Sequence, residues 1–161
     1  MTRDERQSLI ARYKAGYAEV VSALKGIGPE ELNWRPAPTA WSAREVVHHL
    51  ADSETVAGIR LRRILAEDKP AVQGYDQEEY ARRLRYQERP MEPSLQAFEA
   101  ARATTAQLMD AMTDADWQRA GTHSELGAYS AERLLQVYAA HAHEHAAQIR
   151  KNREGWASRP R

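Results

Sequence analysis

The chain of 161 residues contains no cysteine. That excludes a disulfide framework, a thiolate nucleophile and any metal site built on cysteine sulfur. Segments rich in Val, Ile and aromatics with period-two alternation are also missing, so no extensive β-sheet is expected. No run approaches the ~18 consecutive apolar residues of a membrane span. The opening "MTRDERQSLIARYK" is charged throughout and lacks the apolar region of a signal peptide. Net charge is lacking too: 23 basic residues balance 23 acidic ones, which leaves no overall field to draw the protein to nucleic acid or anionic lipid. The absences lead us to expect a cytoplasmic protein with neither a membrane nor a nucleic-acid partner. Its length is enough to bury one core without staples, as a single domain over residues 1–161.

What is present is a surplus of Ala, Leu, Glu, Arg and Gln, all good helix formers. Four long helices are predicted. The first spans about Thr2 to Lys25, where Leu9, Ile10, Tyr13, Tyr17, Val20, Val21 and Leu24 recur at three- and four-residue steps. Gly26, Gly28 and Pro29 end it, and a helical turn at Pro29 to Leu32 follows. Ser42 and Glu45 read as a capping box opening the second helix, which ends near Glu67. The long connection after it carries "DQEEYARRL", acidic at its start and basic at its end, as a short helix should be. Ser94 opens the third helix, to about Met112, and Ser130 caps the last, to about Arg153. Between these two, "TDADW" reads as a capped turn and "RAGTHSELGAYS" as a loop or small irregular hairpin. Four amphipathic helices bury their stripes as an all-α four-helix bundle. The long second connection can cross that bundle, so simple up-down-up-down order does not follow.

Half of the six histidines lie in "YAAHAHEHAAQI". On a helix, His141 and His145 stand one above the other, while His143 falls nearly opposite. Tyr138, His141, His145, Gln148 and Ile149 share a face that otherwise reads as core, and two buried unpaired imidazoles are costly there. Two histidines on a helix can also be plain polar surface residues, but on this face a shared ligand explains them better, and a metal site needs a third ligand. "EVVHHLADSE" offers His48 and His49, with the apolar pattern favouring His49 only slightly. Asp52 or Ser53 could orient an imidazole or a water at the ion. Glu54 is expected on a solvated helix face, and His123 at the surface in its loop.

"LNWRPAPTAWSAREVVHHLADSE", followed far downstream by "HAHEHAAQI", resembles the DinB/YfiT-like superfamily of small metal-binding four-helix bundles. The likeness spans nearly the whole chain. In such proteins a tryptophan precedes the first histidine ligand by eight residues, and Trp41 plus eight is His49. The resemblance thus implies His49, His141 and His145 as ligands of a divalent ion, zinc or nickel or another first-row metal, with long crossover connections in the bundle. It also implies an open site that activates water or a low-molecular-weight thiol for attack on a small electrophile, in a hydrolase or a thiol S-transferase. A homodimer is plausible from relatives.

Other readings of the same residues are weaker. His141, Glu144 and His145 also fit the inverted zinc-peptidase pattern with Glu144 as base, but only 16 residues follow for a downstream ligand. Otherwise Glu144 is a solvated helix residue or a proton acceptor near the metal. A non-catalytic metal-binding or stress-related bundle is a further alternative. Trp34, Trp41, Tyr75, Trp117 and Trp156 read as bundle caps and core sooner than as pocket walls. Arg60, Arg62, Arg63, Arg82, Arg83 and Arg85 read as mostly solvated.

Overall fold

Thr2 and Glu5 start the first helix by exchanging hydrogen bonds. Thr2 Oγ1 accepts from the Glu5 N–H, and the Glu5 carboxylate accepts from the Thr2 N–H at 2.7 Å. In the computed structural model, which describes residues 1–159, the elements in chain order are α1 (Arg3–Leu24), α2 (Pro29–Asn33), α3 (Ala43–Ala66), β1 (Ala71–Val72), α4 (Gln77–Arg83), α5 (Glu92–Ala111), α6 (Asp114–Trp117), β2 (Ala120–His123), β3 (Gly127–Ser130) and α7 (Ala131–Ser158). The Ser42–Glu45 capping box is present at the head of α3. Helix α5 begins two residues before Ser94, with Pro93 in its first turn, where a missing N–H costs nothing. Helix α7 runs five residues beyond the expected Arg153. It passes through Gly155, against which the Trp34 ring packs: a Cβ there would lie 2.8 Å from that ring.

Contacts between helices give their directions. Arg6 meets Glu132, His143 meets Arg12 and Arg150 meets Glu19, so α1 and α7 run parallel. His48 meets Ser94 and Glu54 meets Arg102, so α3 and α5 are parallel too. Trp41 meets Asn152, and Ser53 meets Tyr138, which makes α3 antiparallel to α7. Lys14 meets Asp110 and the Tyr17 ring lies tilted against that of Phe98, so α1 is antiparallel to α5. The ring order is therefore α1, α7, α3, α5. This is a four-helix bundle, but the chain runs up, down, down and up. Because α3 and α5 point the same way, residues 67–91 must climb back along the bundle, and they carry β1 and α4 on the way.

The loop expected around His123 is a hairpin, β2 with β3, extended by β1 in parallel. This small sheet closes the end of the bundle where α3 finishes and α7 starts. Val72 and Tyr129 enter the core. His123 faces inward beside Tyr129 and is 5% exposed, so it is not a surface residue: the strand alternation turns it into the bundle. Among the described residues no helix is long and apolar enough to cross a membrane.

The core has two parts, divided by a polar layer. Glu54, expected in solvent, is fully buried there. Arg102 donates to Glu54 Oε1 and to the backbone carbonyl of Tyr13, and Tyr13 Oη–H donates to Glu54 Oε2 at 2.8 Å. The guanidinium lies 3.9 Å over the Tyr13 ring. Gly16 makes room for it: a Cβ there would lie 2.6 Å from Arg102 Nη2 and 2.7 Å from Ala142 Cβ. Arg60 also departs from its expected solvated face, since its guanidinium turns in to hold the Gln73 carbonyl of the climbing segment.

Removing one member of the buried pair strands the other in a dry layer. Arg102→Ala is expected to lose about 3–5 kcal/mol in urea unfolding. Gly16→Ala is expected to lose about 1–3 kcal/mol by overpacking. Wild-type stability in either variant would remove the polar layer's role.

Candidate metal centre

Helix α3 enters the bundle beneath Trp41, whose backbone carbonyl accepts from Asn152 Nδ2 on α7 at 2.8 Å. The residues before it are tied down by Glu45, which accepts from the Ser42 N–H, Arg35 and Gln87. Two turns into α3 stand His48 and His49, both buried. They face different neighbours. His48 turns to α5, with Nδ1 2.7 Å from Ser94 Oγ and Nε2 3.2 Å from the Arg89 carbonyl. His49 turns to α7, where it meets His141 and His145.

Those three imidazoles aim their Nε2 atoms at one spot. His141 Nε2 lies 3.2 Å from His49 Nε2 and 3.2 Å from His145 Nε2. Each offers one ligand atom, all within 4.8 Å of one another. His145 Nδ1–H donates to Gln148 Oε1 at 2.8 Å, so its Nε2 carries a lone pair. Nδ1 of His49 and of His141 are buried with no hydrogen-bonding partner among the described residues. One N–H on His141 Nε2 can serve one of these contacts as a hydrogen bond, whereas a cation at their centre serves all three nitrogens. The spacing suits one: a tetrahedral ion ~2.05 Å from each nitrogen sets neighbouring nitrogens ~3.3 Å apart. The residues present fit a divalent metal with three protein donors.

Aromatic rings wall the spot. The Trp41 ring lies 4.7 Å from His49 and 6.4 Å from His145, nearly parallel to the latter. Tyr138 presents its ring 5.4 Å from His141 and its Oη accepts from Ser53 Oγ at 3.3 Å. On the His145 side opens a cavity of about 270 Å³, lined by Thr39, Ala40, Trp41, Gln77, Glu78, His145 and Gln148. A larger one of about 420 Å³ adjoins it, sharing Thr39, Trp41 and Glu78.

The other sequence candidates lie off this cavity. Asp52 Oδ2 accepts from Tyr86 Oη–H at 2.5 Å. Glu144 is exposed, and His143 points to the Arg12 carbonyl on α1. Trp117 is core, while Trp34 and Trp156 pack edge to face. Gln148 lies on the histidine face as expected, whereas Glu78 was not found from sequence as a cavity residue. Glu78 comes from the climbing segment, and no local pattern says where that segment lands.

Burial disfavours the charged form of all three imidazoles. It pushes His49 down to about 3 and, with both neighbouring histidines adding to it, His141 down to about 2. His145 is lowered by burial, against an opposing hydrogen bond to Gln148. A group that titrates lower when folded binds more protons when unfolded, so its stability contribution is full above the unfolded value near 6.5 and falls as pH drops toward the folded one. The metal-free protein is therefore expected to lose stability below about pH 6.5, at up to ~1.4 kcal/mol per pH unit for each imidazole. Urea unfolding at pH 7, 6 and 5 measures this, and His141→Asn should make the dependence shallower.

The DinB superfamily model matches residues 12–149. A protein of Geobacillus thermodenitrificans named "Putative metal-dependent hydrolase" is 35% identical over 141 residues, covering 84% of this chain and 78% of its own. A protein of Geobacillus kaustophilus with the same description is 32% identical, covering 94% and 87%. Among solved structures, YfiT from Bacillus subtilis superposes with a TM-score of 0.90 at 23% identity, over 98% of this chain and 90% of that one. It is described as a probable metal-dependent hydrolase with an unusual four-helix bundle topology. By family match and by relatives, the chain belongs to the DinB superfamily.

Proposed function

We propose that the protein is a metal-dependent hydrolase of a small electrophilic molecule, with a divalent ion, zinc or nickel, held by His49, His141 and His145. The observation that carries this reading is the meeting of three Nε2 atoms beside a cavity. Three protein donors leave coordination positions free, as catalytic sites do, whereas structural zinc is closed by four. Imidazole donors suit zinc and nickel alike, so cellular supply selects between them. When bound, the ion supplies Lewis acidity, favouring the deprotonated form of a water or thiol and polarising the electrophile.

The chain's own residues do the rest. Gln148 fixes the His145 tautomer, and Trp41 and Tyr138 hold the rings in place and keep bulk water from their faces. The cavity admits a small substrate from the His145 side. The names of the Geobacillus relatives favour water as the attacking group. Thiol transfer would use the same site with a thiol in place of water.

Elemental analysis of the purified protein should find about one ion per chain. His49→Ala, His141→Ala and His145→Ala should each remove most of it, while His143→Ala and His123→Ala keep it. Gln148→Ala should weaken metal affinity by about 10–100-fold in chelator competition. A panel of esters and amides, with and without added thiols, then separates hydrolysis from transfer. Turnover only with a thiol would overturn the hydrolase reading.

A further inference from the structure

The cavity beside His145 is lined by one carboxylate, Glu78. Its place is built from several directions. Asp76 Oδ1 accepts from the N–H groups of Glu78 and Glu79 and so caps the start of α4. Beyond α4, the buried Tyr86 anchors the segment through its hydrogen bond to Asp52. Glu78 Oε2 accepts from Trp41 Nε1–H at 3.1 Å, while Oε1 has no hydrogen-bonding partner among the described residues. One indole therefore holds the carboxylate by its N–H and packs its rings near His49 and His145.

The charges around Glu78 are largely committed elsewhere. Arg35, the guanidinium within electrostatic reach, is paired with Glu45. Arg82 and Arg83 are paired with Glu79. Arg85, Glu45, Glu79 and Glu88 line the adjoining cavity, and His145 is the titratable group sharing the inner one. Among the described residues Glu78 forms no ion pair.

We infer that Glu78 is the general base of the reaction, taking a proton from the attacking water in the cavity it lines, through the carboxylate oxygen that Trp41 leaves free. The inference rests on the hydrolase reading above. The O–H bond of the water breaks, and its electron pair stays on oxygen to form the new bond to the electrophilic carbon. The proton passes to Glu78 Oε1 and then to the departing group, which leaves with the electron pair of the broken bond. Asp52 and Glu144 are poorly placed for this, one engaged by Tyr86 and neither lining the cavity.

Cobalt-loaded wild type and Glu78→Gln test it, with metal content, the pH midpoint of the cobalt visible bands and hydrolysis of 4-nitrophenyl acetate as readouts. Glutamine keeps the shape and an oxygen for the Trp41 N–H. The variant should bind cobalt as wild type does. Its midpoint should move toward acid, because a nearby negative charge that opposes deprotonation is gone. Its hydrolysis rate should fall about 100-fold. Trp41→Phe, which keeps a ring and loses the tether, should show a smaller fall. An unchanged midpoint and rate in Glu78→Gln would overturn the inference and leave the metal reading intact, and loss of cobalt there would make Glu78 part of metal binding instead. Wild type that takes up no cobalt would overturn the metal reading itself.

Discussion

Three neutral imidazoles meet nitrogen to nitrogen inside an apolar bundle, and much of the structure around them serves to keep them there. Left to itself, such a meeting is poorly satisfied, because a single N–H on His141 Nε2 can serve only one of its two contacts. Burial keeps the rings uncharged, which is the state a metal ligand must have. The same feature that makes the site poor at holding protons thus makes it fit to hold a cation.

The helix order is what lets the three rings meet. Because α1 pairs in parallel with α7 and α3 with α5, α3 and α7 become antiparallel neighbours. The second turn of α3 then faces the middle of α7. The climbing segment that this order requires supplies the cavity wall, with Gln77 and Glu78 brought over the site. Below, the buried layer of Tyr13, Glu54 and Arg102 joins α1, α3 and α5 at one height. Its hydrogen bonds are directional, so a helix cannot slide by a turn without stranding a charge. The registry of α3 is fixed in this way close to its histidines.

Much of this was legible in the residues, and the exceptions share a cause. The four long helices and the pairing of His141 with His145 follow from local periodicity. The choice between His48 and His49 does not. Helix α3 packs against both α5 and α7, so both histidines are buried, and periodicity does not say which neighbour each meets. Family resemblance made that choice, and the structure places His49 with the α7 pair. Glu54 reads as a solvated acid because its partner is Arg102, 48 positions away on another helix. The last helix was expected to stop near Arg153, but it continues past Gly155, where Trp34 from far up the chain packs against it. The inward turn of His123 needed the sheet, whose parallel strand comes from another connection. Each miss concerns a partner distant in sequence, which no window of neighbouring residues contains.

X-ray absorption at the edge of the bound metal tests the central claim most directly. The account predicts three imidazole nitrogens at about 2.0–2.1 Å, visible by their ring scattering, with one or more further light atoms completing the shell. A shell of oxygen donors alone, or one without the imidazole signature, would contradict it.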